Sequence, residues 1–119
     1  MIIDVHGHVV APDALYAYRA SLLASRGAHG RGGVRVSDEE LVTAVFGGLE
    51  GKPKTHIELL DERGTDIQFI SPRPFHMMHS VKPEKIVRWY TEEANNIIAR
   101  ICKLFPNRFK GIAGLPQNV

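Results

Sequence analysis

The chain has 119 residues, 44% hydrophobic and 24% charged, with a formal net charge of +2. That balance suits one soluble globular core and gives no case for nucleic acid or an anionic membrane as partner, since Lys and Arg are scattered among the acids. A single cysteine, Cys102, rules out an internal disulfide and suits a reducing compartment. No apolar run approaches the ~20 residues of a membrane span, and no basic-then-apolar leader opens the sequence, so a cytoplasmic protein is expected.

Met1-Ile2-Ile3-Asp4-Val5-His6-Gly7-His8 reads as a short buried strand ending in two histidines. Ile2, Ile3 and Val5 supply its β-branched content. Strict alternation puts Asp4, His6 and His8 on one face and Ile3 and Val5 on the other. Residues i and i+2 of a strand stand roughly 6.5–7 Å apart at Cα, so both imidazoles can converge on one ion. Gly7 leaves room on the opposite face. The bland alternative is a pair of solvated strand-end side chains. The hydrophobic strand before the pair, and the acid beside it, favour half of a metal site.

Pro12-Asp13 then opens a helix whose apolar positions are Leu15, Tyr18 or Arg19, Leu22 and Leu23, with Gly27 as its stop. Gly27 to Gly33 is a glycine-rich loop that includes His29, either an active-site cover or merely a surface loop. Ser37-Asp38-Glu39-Glu40 is a capping box, and Leu41, Val42, Val45 and Phe46 form the stripe of a second helix. A third helix runs from Pro53 or Thr55 to Arg63, with Ile57 and Leu60 facing inward, His56 a further candidate for that face, and Gly64 placed for a left-handed cap. Thr65 to Ser71 reads as a strand, broken by Pro72 and Pro74. The longest helix runs from Pro83 to about Phe105, its stripe set by Ile86, Val87, Tyr90, Ala94, Ile97, Ile98 and Ile101. Arg108 to Leu115 is the third strand.

Strands joined by helical crossovers are parallel. The expected fold class is α/β: roughly three βα units of a (β/α)8 barrel, which takes ~250 residues when complete. Such a chain is a single domain that needs the remainder of the barrel or a partner chain to close its sheet. Chemistry in barrels gathers at the carboxyl ends of strands. The first such end carries His6 and His8. The second carries Arg73, either a bidentate clamp for a substrate carboxylate or a surface arginine, and His76, a candidate for substrate contact or acid–base work. His79 pairs with His76 at i, i+3 but reads as loop, and Gln117 and Asn118 at the third end read as a polar turn. His29 and His56 read as surface or helix residues.

Asp4-Val5-His6-Gly7-His8 resembles the first-strand D-x-H-x-H signature of the amidohydrolase superfamily of metal-dependent barrels. Leu60-Asp61-Glu62-Arg63-Gly64-Thr65-Asp66 leading to Ser71-Pro72, Asn95-Asn96, and Phe105-Pro106-Asn107-Arg108-Phe109 leading to Leu115-Pro116 narrow the resemblance to the aminocarboxymuconate-semialdehyde decarboxylase-related branch. That branch holds non-oxidative decarboxylases of aromatic or semialdehyde acids and 4-oxalomesaconate hydratases. The Phe69-Ile70-Ser71-Pro72-Arg73 run and the glycine-rich insertion are most similar to the hydratases. The resemblance implies a divalent ion, zinc above all, on His6 and His8. It implies a lyase adding water across an activated C=C of a di- or tricarboxylate in aromatic catabolism, in a homo-oligomer. The remaining ligands and the general base then lie outside these residues. A decarboxylase is the runner-up. A non-catalytic barrel fragment or partner subunit is the reading from another class.

Overall fold

The computed structural model describes residues 1–8, 12–28, 33–46, 55–73 and 80–116. The element order is β1 (Ile3–Gly7), α1 (Asp13–Ser25), α2 (Asp38–Phe46), α3 (His56–Glu62), β2 (Ile67–Ile70), α4 (Glu84–Leu104) and β3 (Phe109–Gly111). The three strands form one sheet in the order β1-β2-β3, every pair parallel. This is the alternation that the sequence predicts. β2 and β3 are shorter than expected, because the ladder ends where Ile112 N–H reaches the Ile70 carbonyl at 2.8 Å. Among the described residues no helix is long and apolar enough to cross a membrane.

Local chemistry sets the helix ends. The Ser37 hydroxyl accepts the Glu40 amide at 3.1 Å, so the capping box forms. The Thr55 hydroxyl does the same for the Glu58 amide at 3.2 Å. Gly64 takes φ +70° just past α3, a conformation that favours glycine. α1 ends less conventionally. Arg26 holds φ 48° ahead of Gly27, also at positive φ, while Arg26 N–H returns to carbonyls of the last turn.

The core lies between the helices and one face of the sheet. Ile86, Val87 and Ile101 of α4 are fully buried, as are Leu22 of α1, Leu41 and Val45 of α2, Ile70 of β2 and Phe109 of β3. Leu23 is a third exposed, so the α1 stripe runs through Leu15, Tyr18 and Leu22 alone. A Cβ on Gly111 would stand 3.1 Å from Ile98 of α4, which places Gly111 on the helix side. Gly111 pairs with Ile70, and Phe109 with Gln68, so all four share that side.

β1 departs from expectation. It is an edge strand, and its apolar side chains are not buried: Ile3 is 48% and Val5 67% exposed. β-branched content marked the strand correctly, but burial depends on what lies against that face.

At the amino ends of the strands Arg108 acts as a latch. Its Nε and Nη2 donate to the carbonyls of Asp66 and Thr65, both at 3.0 Å, and its Nη1 pairs with Asp61 at 2.8 Å.

Candidate metal centre

β1 and β2 do not pair in simple register. Ile3 lies opposite Ile67 and Asp4 opposite Gln68, but the next partner of the ladder is Gly7 opposite Ile70. Three steps along β1 match two along β2, which is a β-bulge. The bulge resets the alternation. Asp4 and Gly7 both take the face of Gln68, and a Cβ on Gly7 would lie 2.3 Å from the Gln68 Cδ. His6 and His8, the neighbours of Gly7, therefore project from the other face. The expectation that Asp4 shares a face with the histidines is corrected on this point, because strict alternation ignores the extra residue.

His6 and His8 do come together. Their ring centres are 5.2 Å apart with an 81° angle between planes. Two imidazoles on one tetrahedral ion, with metal–nitrogen bonds of about 2.0–2.1 Å, hold their centres roughly 5 Å apart. His8 Nδ1 lies 2.7 Å from the Ser71 carbonyl. A carbonyl can only accept, so Nδ1 carries a proton, and in the neutral ring Nε2 is the nitrogen that presents a lone pair. Fixing the far nitrogen of a ligand histidine in this way is what metal sites use to set tautomer and ring angle. The pair thus fits a cation such as zinc. Among the described residues no cluster of three or more His, Cys, Asp or Glu forms around them.

Arg73 is half-buried two residues past Ser71, at the same end of the sheet. His76, His79 and His29 lie outside the described residues, as do Gln117 and Asn118. The third strand end is pinned from α4: Asn95 donates to the Gly114 carbonyl at 2.9 Å and accepts the Gly114 amide at 2.8 Å. This gives Asn95 of the Asn95-Asn96 pair a structural role.

Sequence reasoning missed two side chains. Gln68, buried on the helix face, donates from Nε2 to Asp4 Oδ2 at 2.8 Å. His56 Nε2 lies 2.7 Å from Gln68 Oε1, which can only accept, so His56 donates. The signal was present: a glutamine among Ile67, Phe69 and Ile70 breaks an apolar strand and needs partners inside.

Asp4 also accepts the His6 amide at 3.1 Å. The hydrogen bond from Gln68, then that from His6, hold the Asp4 carboxyl below its ordinary range, and burial opposes them only in part. A carboxyl whose folded value is depressed stabilises the fold at neutral pH and loses that contribution as pH falls through its folded value. Acid unfolding followed by circular dichroism should therefore show Asp4→Asn with a flatter pH dependence than wild type below the usual carboxylate range. Identical profiles would mean that Asp4 titrates alike in both states.

No family model matches the chain. The 2-keto-4-carboxy-3-hexenedioate hydratase of a Sphingobium species is 32% identical over 121 residues, covering 99% of this chain and 33% of the relative. The crystal structure of 4-oxalomesaconate hydratase from Rhodopseudomonas palustris superposes with a TM-score of 0.79 at 30% identity, covering 99% of this chain and 34% of that one. The chain spans about a third of the length of the relatives that it matches. Along nearly all of its own length it is similar to these two hydratases, and the resemblance that its sequence carries to them stands.

Proposed function

We propose that this chain supplies the first metal-binding strand of a hydro-lyase of the 4-oxalomesaconate hydratase type. The observation that carries the reading is the histidine pair: two imidazoles set edge-on with centres 5.2 Å apart beside an exposed apolar sheet face, one held by the Ser71 carbonyl through Nδ1. The sheet, which among the described residues has helices on one face, belongs on this reading to a (β/α)8 barrel whose interior the histidines face. The remainder of the barrel, from a longer chain or a partner, would cover Ile3 and Val5 and supply the further ligands and the general base.

His6 and His8 would hold a divalent ion, most simply Zn2+, which when bound lowers the pKa of water toward neutrality. His8 keeps one orientation throughout, because its Nδ1–H stays on the Ser71 carbonyl. Arg73, at the same strand ends, would hold a substrate carboxylate by its fork and stabilise negative charge as it develops. The substrate is then a di- or tricarboxylate with an activated C=C. The names of both relatives favour hydration over decarboxylation.

Native mass spectrometry of the purified protein with added Zn2+ tests this, since it reads ion, chain mass and assembly together. About one ion per barrel is expected, and His6→Ala or His8→Ala should each weaken binding by ~100-fold or more, since a catalytic zinc has only three or so protein ligands. An enol tricarboxylate should then be consumed without release of CO2. Release of CO2 would favour the decarboxylase. No zinc in wild type would leave a non-catalytic piece.

A further inference from the structure

The bulge decides where the histidines point. Without it, alternation from Asp4 would turn His6 and His8 toward the helices, onto the face of Gln68. With it they reach the other face. A slip of this kind frees main-chain groups from the ladder, and it persists only if those groups and the displaced side chains are held.

Three side chains hold it here, joined end to end by hydrogen bonds. Asp4 Oδ1 accepts the amide of His6, inside the slipped segment. Asp4 Oδ2 accepts from Gln68 Nε2. Gln68 Oε1 accepts from His56 Nε2, on α3. The assignment is unique, because a carboxylate cannot donate and the amide has one oxygen. Gln68 stands in the middle, and its side chain fills the space beneath Gly7 where any other residue would place a Cβ.

We propose that Gln68 is a positioning residue for the histidine pair: by bridging Asp4 to His56 beneath Gly7, it fixes the one-residue slip that turns His6 and His8 out of the helix face. His56 acts through it, Asp4 carries its hold to the His6 amide, and none of the three is a candidate ligand. The role goes beyond the metal reading and leans on it only for one measurement, the affinity for Zn2+.

The test uses the 119-residue chain labelled with 15N. Imidazole 15N shifts report whether His8 keeps its proton on Nδ1, and amide exchange reports His6 relative to α4 in the same sample. Zn2+ affinity is read against a competing chelator. Gln68→Leu keeps bulk and removes both hydrogen bonds. It should abolish the fixed His8 tautomer, speed exchange at His6 relative to α4 by about tenfold, and lower Zn2+ affinity by about 10–100-fold, the range for partners of metal ligands. A folded Gln68→Leu with wild-type tautomer and wild-type relative exchange would overturn the proposal, whatever its overall stability. If Gln68→Leu fails to fold, a swap decides. Gln68→Glu sets a carboxylate against Asp4, and adding Asp4→Asn restores a donor to every acceptor in the chain of bonds. The double variant should recover the His8 tautomer that Gln68→Glu loses; no recovery overturns the proposal. Should wild type bind no Zn2+ while the tautomer and exchange results hold, the metal reading fails and the positioning role stands.

Discussion

Phe109→Ala is expected to destabilise the protein more than any other single truncation, by about 3–5 kcal/mol, the range for a buried Phe cut to Ala. The ring is fully buried at the start of β3. It meets Phe105 edge-on with centres 6.0 Å apart and His56 at 5.6 Å. It also lies opposite Gln68 in the ladder. Removing it opens a cavity where α3, α4 and the sheet meet, and leaves His56 without its apolar neighbour. A small domain has only about 5–15 kcal/mol in total, so the variant should sit near the edge of folding. Urea unfolding with wild type alongside reads the difference. Phe109→Leu should recover most of it, with a cost below ~1.5 kcal/mol if the site repacks. A loss under about 1 kcal/mol for the alanine would mean that the surroundings collapse into the space.

The second large effect belongs to Gly7. An alanine there would place its Cβ 2.3 Å from Cδ and 2.4 Å from Nε2 of Gln68. Glutamine is flexible at its far end, so in open surroundings the clash would be cheap to relieve. Here the amide is held at both ends, by Asp4 and by His56, and Gln68 is buried. Moving it breaks both bonds and leaves polar atoms unpaired, at about 1–3 kcal/mol for each buried group so stranded. Gly7→Ala should therefore lower unfolding stability by about 2–4 kcal/mol. The mechanism has a specific signature. In a Gln68→Ala background the methyl has space, and the same change should lower stability by less than ~1 kcal/mol. Equal effects in both backgrounds would place the cause in backbone conformation instead.

What the sequence disclosed depended on how far its signals reach along the chain. Ser37 with Glu40, Gly64 after Arg63, and the apolar repeat from Ile86 to Ile101 act within one or two turns, and each appears where the sequence predicts it. Parallel pairing followed from the order of strands and helices. The bulge did not, because it exists only between Asp4 and Gly7 of one strand and Gln68 and Ile70 of another, more than 60 residues away. The misplacement of Asp4 has that cause, as does the missed link from Gln68 to Asp4 across the strands, although the polar break that Gln68 makes in β2 was legible by itself. The histidine spacing survived the error, since i and i+2 share a face whichever face it is. The exposure of Ile3 and Val5 has a different origin: β-branched residues mark a strand without saying what covers it.

Arg108 reaches two main-chain carbonyls and a single side chain. Carbonyls are common to all residues, so the grip of Arg108 on Thr65 and Asp66 does not depend on their side chains, although the Asp66 carboxylate has its own partner in the Ile2 amide. The burden falls instead on one position. No lysine can imitate a planar fork that serves Thr65, Asp66 and Asp61 at once, so tolerance around this corner is bought by intolerance at its centre.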